Sequence, residues 1–214
     1  MRVGLYVLTL ALLVAPLPQW NADTTRITRR AMDAFAYIHL DEIEGDRTAN
    51  GSGFYVDDFL VMTAAHNLMD GKGQVTVGRW PDDMGEAEVV LLDKDLDLAL
   101  LRTPRKGADH LEIGRKHPEV TIRVVSVTAP LGLSGGVVFF GQVSAAWKDN
   151  QRMLIDMTAM HGQSGAAVVA LDGRDRGRAI GVISMAWGEP GWGTVALAVN
   201  ADAIREFLDG VPDE

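Results

Sequence analysis

The chain has 214 residues, 47% of them hydrophobic, and 20 Lys and Arg against 29 Asp and Glu for a net charge of −9, enough for one large packed β domain or two small ones. The basic residues are scattered rather than gathered in a stripe, so nucleic acid is not an expected partner. The lack of cysteine rules out disulfides, thiolate metal sites and a cysteine nucleophile, and the five histidines (His39, His66, His110, His117, His161) form no HExxH pair, which removes the helical zinc-protease signature.

Residues 1–22 stand apart: Arg2 is followed by an uncharged apolar run from Val3 to about Ala15, then by Pro16 and Pro18. A run of roughly 7 to 15 apolar residues after a positive charge reads as an export signal. Neither Ala15 nor Ala22 closes a small-x-small cleavage pattern, so an uncleaved anchor spanning residues 3–22 is the alternative. Either way residues 23–208 are expected outside the cytoplasm, periplasmic, secreted or tethered to the membrane. A buried N-terminal helix of a cytosolic protein fits less well, because it leaves the order of Arg2 and the apolar run unexplained.

The stretch TTRITRRAMDAF predicts a short helix started by Thr24 or Thr25. From about Ala34 the pattern turns to short apolar or alternating runs broken by Gly, Asp, Asn and Pro: FAYIHL, GFYVDDFLVMTAA, QVTVGRW, AEVVLLD, LALLRT, IRVVSVTAP, GVVFFGQVSA, RMLIDMTA, AAVVAL, AIGVISMAW and GTVALAV. So many short, evenly spaced runs leave no room for helical crossovers and predict an all-β barrel or sandwich. The polar stretch 103–119 reads as a connector between two halves. The last segment, NADAIREFLDG, predicts a helix capped by Asn200, with Ile204, Phe207 and Leu208 on one face and Gly210 as its stop.

Three residues stand out chemically. His66 closes FLVMTAAH, where an apolar strand ends in a turn of small residues; an isolated histidine there is equally a satisfied core residue. Asp97 ends the acidic run DKDLD and leads straight into four apolar residues, which carry one carboxylate to the edge of the core. The D-x-D-x-D spacing suggests a calcium loop but lacks its glycine turn and closing glutamate, and a solvated face accounts for Asp93 and Asp95. Ser164 lies in HGQSGAA, either a nucleophile on a tight turn or a small residue in a glycine-rich hairpin. The chain order His, Asp, Ser is opposite to the Ser, Asp, His order of α/β-hydrolases, and GQSGA lacks the final glycine of their GxSxG.

At these residues the sequence resembles the trypsin-like serine peptidases, and within them the bacterial HtrA (Deg) protease domain, from about Phe35 to Leu208. GSGFYVDDFLVMTAAHNLMDG looks like the family's histidine segment and DKDLDLALL like its aspartate segment. VTAPLGLSGGVVFFGQVSA is similar to its G-x-P-x-G-L and G-x-V-S strand pair, and DMTAMHGQSGAAVV to its serine segment. AIGVISMAW and GTVALAVNADAIREFL match the substrate-binding strand and the closing strand and helix.

The resemblance implies an all-β fold of two six-stranded antiparallel β-barrels with a C-terminal helix: an N-terminal barrel at about 34–103, a linker at about 104–119, a C-terminal barrel at about 120–199 and a helix over 200–209. It implies an exported endopeptidase acting on proteins or peptides without metal or organic cofactor. His66 would be general base then acid, Asp97 its orienting partner, Ser164 the nucleophile, and the Gly162 and Ser164 amides the oxyanion hole. Thr158 is expected near the base of the S1 pocket and Ser184, Met185 and Ala186 along its wall. With no carboxylate there, an Arg or Lys preference is not expected, and Met185 and Ala186 suggest a small or medium aliphatic P1. His161 borders the pocket as a solvent-facing residue or as a group favouring an acidic P1.

Some positions depart from the family. Gln163 stands where HtrA members have Asn and trypsins Asp, so activation by pairing a new N-terminal amine with that Asp is not expected. Ala166 and Ala167 replace the usual Gly and Gly or Pro. The sequence stops just past the closing helix, so the PDZ domain of HtrA proteins is not expected. The alternative function is a catalytically inactive module of the same fold that binds or holds proteins.

Overall fold

The computed structural model describes residues 22–42, 48–71, 73–79, 81–133, 135–187 and 195–211. The export reading of residues 1–22 lies outside the described residues except for Ala22, which opens the first helix. That helix, α1 (Ala22–Asp33), begins ahead of the expected Thr24 or Thr25 start and buries Thr24, Ile27 and Ala31, three or four residues apart on one face. Asp23 in its first turn and Arg30 in its last complement the helix dipole.

Seven strands follow: β1 (Phe35–Glu42), β2 (Thr48–Tyr55), β3 (Leu60–Thr63), β4 (Gly73–Arg79), β5 (Asp83–Glu86), β6 (Glu88–Asp93) and β7 (Leu98–Arg102). They form one curled antiparallel sheet in the order β5-β4-β1-β2-β3-β7-β6. The second half holds β8 (Arg123–Thr128), β9 (Val137–Trp147), β10 (Arg152–Thr158), β11 (Ala167–Ala170), β12 (Ala179–Trp187) and β13 (Val195–Asn200), closed as a barrel in the order β10-β13-β12-β11-β8-β9. The closing helix is α2 (Ala201–Leu208), capped by Asn200, whose side chain accepts from the amides of Asp202 at 3.1 Å and Ala203 at 3.3 Å.

The double-barrel expectation of the trypsin-like fold holds. The second half is the six-stranded barrel, whereas the first counts seven strands and curls without a closing ladder among the described residues. Its additional strand is β5, which pairs only with β4, from Thr76 opposite Glu86 to Arg79 opposite Asp83.

Strands buried on both faces divide their side chains between cores. Leu98 and Leu100 of β7 enter the core shared by the two halves, while Ala99 and Leu101 enter the core of the first sheet. In the same way Ala167 and Val169 of β11 face the shared core, and Val168 and Ala170 fill the barrel. The shared core also takes Ile27 and Ala31 of α1 and Ile204 and Phe207 of α2, so both helices brace the seam. The connector is tied to both halves: the Leu111 amide donates to the Tyr55 carbonyl at 2.9 Å and the Gly114 amide to the Ala179 carbonyl at 2.8 Å.

Candidate active site

The seam between the halves opens into a cleft of about 920 Å³, and His66, Asp97 and Ser164 all line it. His66 comes from the 3-10 turn Ala65–Gly71 that follows β3, and its side chain is half exposed to the cleft. Asp97 is the last residue of the turn between β6 and β7, at a left-handed φ of 61°, a conformation Asp tolerates better than most residues. Asp93 shapes that turn by accepting from the amides of Asp95 at 2.9 Å and Leu96 at 2.8 Å.

His66 and Asp97 are joined three times. The His66 Nδ1 lies 3.0 Å from Oδ1 and 2.9 Å from Oδ2 of Asp97, and the His66 amide donates to Oδ1 at 3.0 Å. The Ser184 hydroxyl adds a 2.5 Å bond to Oδ2. Burial alone raises the pKa of Asp97, but the bonds from the His66 ring, the Ser184 hydroxyl and the His66 amide outweigh it and hold the carboxyl below its ordinary value. An ionised carboxylate only accepts, so the His66 proton belongs on Nδ1, and Nε2 is left as a lone-pair acceptor.

Ser164 sits on a turn that the first half clasps. Its carbonyl accepts from the Ser52 amide and the Asn67 side chain, each at 2.9 Å. Asn67 Nδ2 also reaches Thr63 Oγ1 at 3.0 Å, and Thr63 in turn donates to the Ser52 carbonyl at 2.7 Å. The Ser52 hydroxyl donates to the Gly162 carbonyl at 2.6 Å and accepts from the Ala129 amide at 2.8 Å. From the other side the Gly165 amide donates to the Ile183 carbonyl of β12 at 2.7 Å. Both glycines flanking the serine are at φ +89°, and an added Cβ would lie 2.2 Å from the Ala129 carbonyl oxygen at Gly162 and 2.1 Å from the Ser52 carbonyl oxygen at Gly165.

Among the described residues no acceptor is bonded to the amides of Gly162 or Ser164, while the intervening Gln163 amide turns back to the Met160 carbonyl at 3.3 Å. Gln163 itself is buried, and its Oε1 accepts from the Met160 amide at 3.1 Å, which braces the turn from within. Ala166 packs into the barrel core and Ala167 into the shared core. The Ser164 hydroxyl donates to the Ser184 carbonyl at 3.4 Å rather than to His66.

Of the expected specificity residues, His161, Ser184 and Met185 line the cleft. Thr158 does not: a register shift between Ile155 and Thr158 ends β10 with Thr158 opposite Val195 and its side chain exposed. Ala159 and Met160 form that wall instead. Ala186 lies in β12 opposite Ala196. The exposed His161 serves through its carbonyl, which accepts from the Leu131 amide at 2.8 Å and fixes Leu131, 73% exposed, on the rim. Sequence reasoning missed the clasp by Ser52, Thr63 and Asn67 and the bond from Ser184 to Asp97. The only local signal was the GSG at residues 51–53, where a Cβ on Gly51 would meet Asn67 at 2.4 Å.

Residues 51–182 match the family model of the trypsin-like peptidase domain. The serine protease HTRA1 of Xenopus tropicalis is 29% identical over 176 residues, covering 75% of this chain and 35% of its own length, so the chain spans about a third of that relative. Among solved structures, the serine endoprotease of Yersinia pestis superposes with a TM-score of 0.72 at 23% identity, covering 87% of this chain and 65% of that one. The active form of the Rv3671c protease of M. tuberculosis superposes with a TM-score of 0.76 at 19% identity, covering 89% and 86%.

Proposed function

Because the chain belongs to the trypsin-like peptidase domain family, with HtrA proteins among its relatives, we propose that it is a serine endopeptidase working through Ser164, His66 and Asp97. The observation that carries this reading is the bidentate hold of Asp97 on His66 Nδ1, which leaves Nε2 as the base facing the cleft that holds Ser164.

For the reaction the Ser164 hydroxyl turns from the Ser184 carbonyl toward His66, which lines the same cleft. Nε2 takes the proton as Oγ attacks a peptide carbonyl, and Asp97 stabilises the imidazolium that forms. The Gly162 and Ser164 amides receive the negative charge on the carbonyl oxygen, each worth about 3 kcal/mol to the transition state. His66 then protonates the leaving amine, and water repeats the sequence on the acyl-enzyme. An extended substrate lies along the β12 segment from Ser184 to Trp187, which pairs with β13 on one side only. The apolar wall of Ala159, Met160 and Met185 suits an aliphatic P1.

Labelling the folded protein with a fluorophosphonate tests the reading. A covalent adduct at Ser164, absent in Ser164→Ala, is expected; no adduct sinks the peptidase. The second reading is a protein-binding module without turnover, and the orientation of the Ser164 hydroxyl toward Ser184 is the observation on its side. Export remains part of the proposal on the strength of residues 2–15; a fusion to a reporter active only outside the cytoplasm tests it.

A further inference from the structure

We propose that Arg152 makes the cleft select an acidic side chain on the acyl side of the scissile bond, at P2 or P4, an inference that rests on the peptidase reading above. Arg152 opens β10, opposite Val199 and Trp147. Its side chain leaves the barrel and reaches the first half, where Nη2 donates to the Asp95 carbonyl at 3.2 Å. Nη1 of the same guanidinium is buried without a hydrogen-bond partner.

A contact with a main-chain carbonyl leaves the guanidinium charge uncompensated, and among the described residues no carboxylate forms an ion pair with it. This is unexpected in a chain of net charge −9. Arg152 lines the cleft together with Lys94, Asp95 and Asp97, and its bond to the Asp95 carbonyl sets it against the turn between β6 and β7. The other charges at that end do not cancel it. The Asp97 carboxylate is engaged by His66 and Ser184, and the Asp95 side chain is exposed to solvent, which screens it.

A peptide extended along β12 sends alternate side chains to the same face. P1 enters the recess beside Met160, so P2 and P4 turn toward His66 and the turn between β6 and β7. A carboxylate there meets a guanidinium that lines the cleft and whose charge no ion pair among the described residues offsets.

The test is cleavage of matched fluorogenic peptides carrying Glu or Gln at P2, and Glu or Gln at P4. The wild type is expected to cleave a Glu peptide about tenfold better in kcat/KM, which is ~1.4 kcal/mol, with the advantage shrinking as salt is added. In Arg152→Gln the Glu-to-Gln ratio falls to about one, and in Arg152→Glu it inverts in favour of Gln, by the charge logic of an ion pair. The ratio is read rather than the rate, because Arg152 also braces the Asp95 turn. Equal cleavage of Glu and Gln peptides by wild type overturns the inference alone, as does a preference that survives in Arg152→Gln. Absence of both cleavage and Ser164 labelling overturns the peptidase reading and this inference with it.

Discussion

Ser52 and Ser164 are bonded across the seam: the Ser52 amide holds the Ser164 carbonyl at 2.9 Å while the Ser52 hydroxyl holds the Gly162 carbonyl at 2.6 Å. One buried residue of the first half thus holds the peptide units that follow Gly162 and Ser164, each adjacent to a unit whose amide belongs to the proposed oxyanion hole. Ser52→Ala keeps the first bond and strands the Gly162 carbonyl and the Ala129 amide. We expect a loss of roughly 1–3 kcal/mol in stability from denaturant unfolding, and a fall in kcat larger than the rise in KM.

Gly165→Ala meets a harder obstacle. The new Cβ would lie 2.1 Å from the Ser52 carbonyl oxygen at φ +89°, so the turn must move. The expected result is loss of fluorophosphonate labelling at Ser164 together with a lower midpoint of thermal unfolding.

Ser184→Ala removes one of the donors to Asp97 while leaving the His66 pair in place. A several-fold fall in kcat is expected, of the size of one charge-assisted hydrogen bond shared among several, with peptide KM little changed. An unaltered kcat would show that His66 alone suffices to hold the carboxylate.

Asp97 gives a pH signature. Its pKa in the folded chain lies below the ordinary 3.8, so the stability its charge contributes is complete above 3.8 and is lost as pH falls through the lower folded value. The difference in unfolding free energy between wild type and Asp97→Asn should be flat above about pH 5 and shrink below it. Asp97→Asn should also lower kcat on the order of 10⁴-fold, because an amide no longer selects the productive tautomer.

At the alkaline end Tyr55 is the group to follow. Burial, helped by the nearby Asp83 carboxylate and opposed by Arg79 and Arg105, pushes its phenol up to about 12. The stabilisation is complete below pH 10 and disappears as pH rises from 10 through about 12. In Tyr55→Phe, unfolding followed by tryptophan fluorescence should lose less stability across that interval.

The apolar strands, the Asn200 cap and the three residues that meet in the cleft were legible because each rests on local pattern: alternation, a capping side chain, or a motif of adjacent residues. β5 was not, since Asp-Met-Gly-Glu carries no alternation and forms only because β4 offers an edge. The first four residues of strand β2, Thr-Ala-Asn-Gly, show no apolar alternation either; Gly51 matters because Asn67 packs against it. The bond from Ser184 to Asp97 spans 87 positions and leaves no local trace. The register shift that leaves the Thr158 side chain exposed has no local sign in the sequence.

The proposed base and acid come from the first half of the chain, the proposed nucleophile and its amide donors from the second, and the Ser164 turn is shaped by groups of the first. A chain emerging during synthesis therefore carries His66 and Asp97 long before Ser164 is presented to them, and even a folded second barrel would lack the clasp that shapes the Ser164 turn. On the peptidase reading, reactivity appears only once both halves have docked. The seam works as a check on assembly: a molecule that comes apart there falls silent before either half has unfolded.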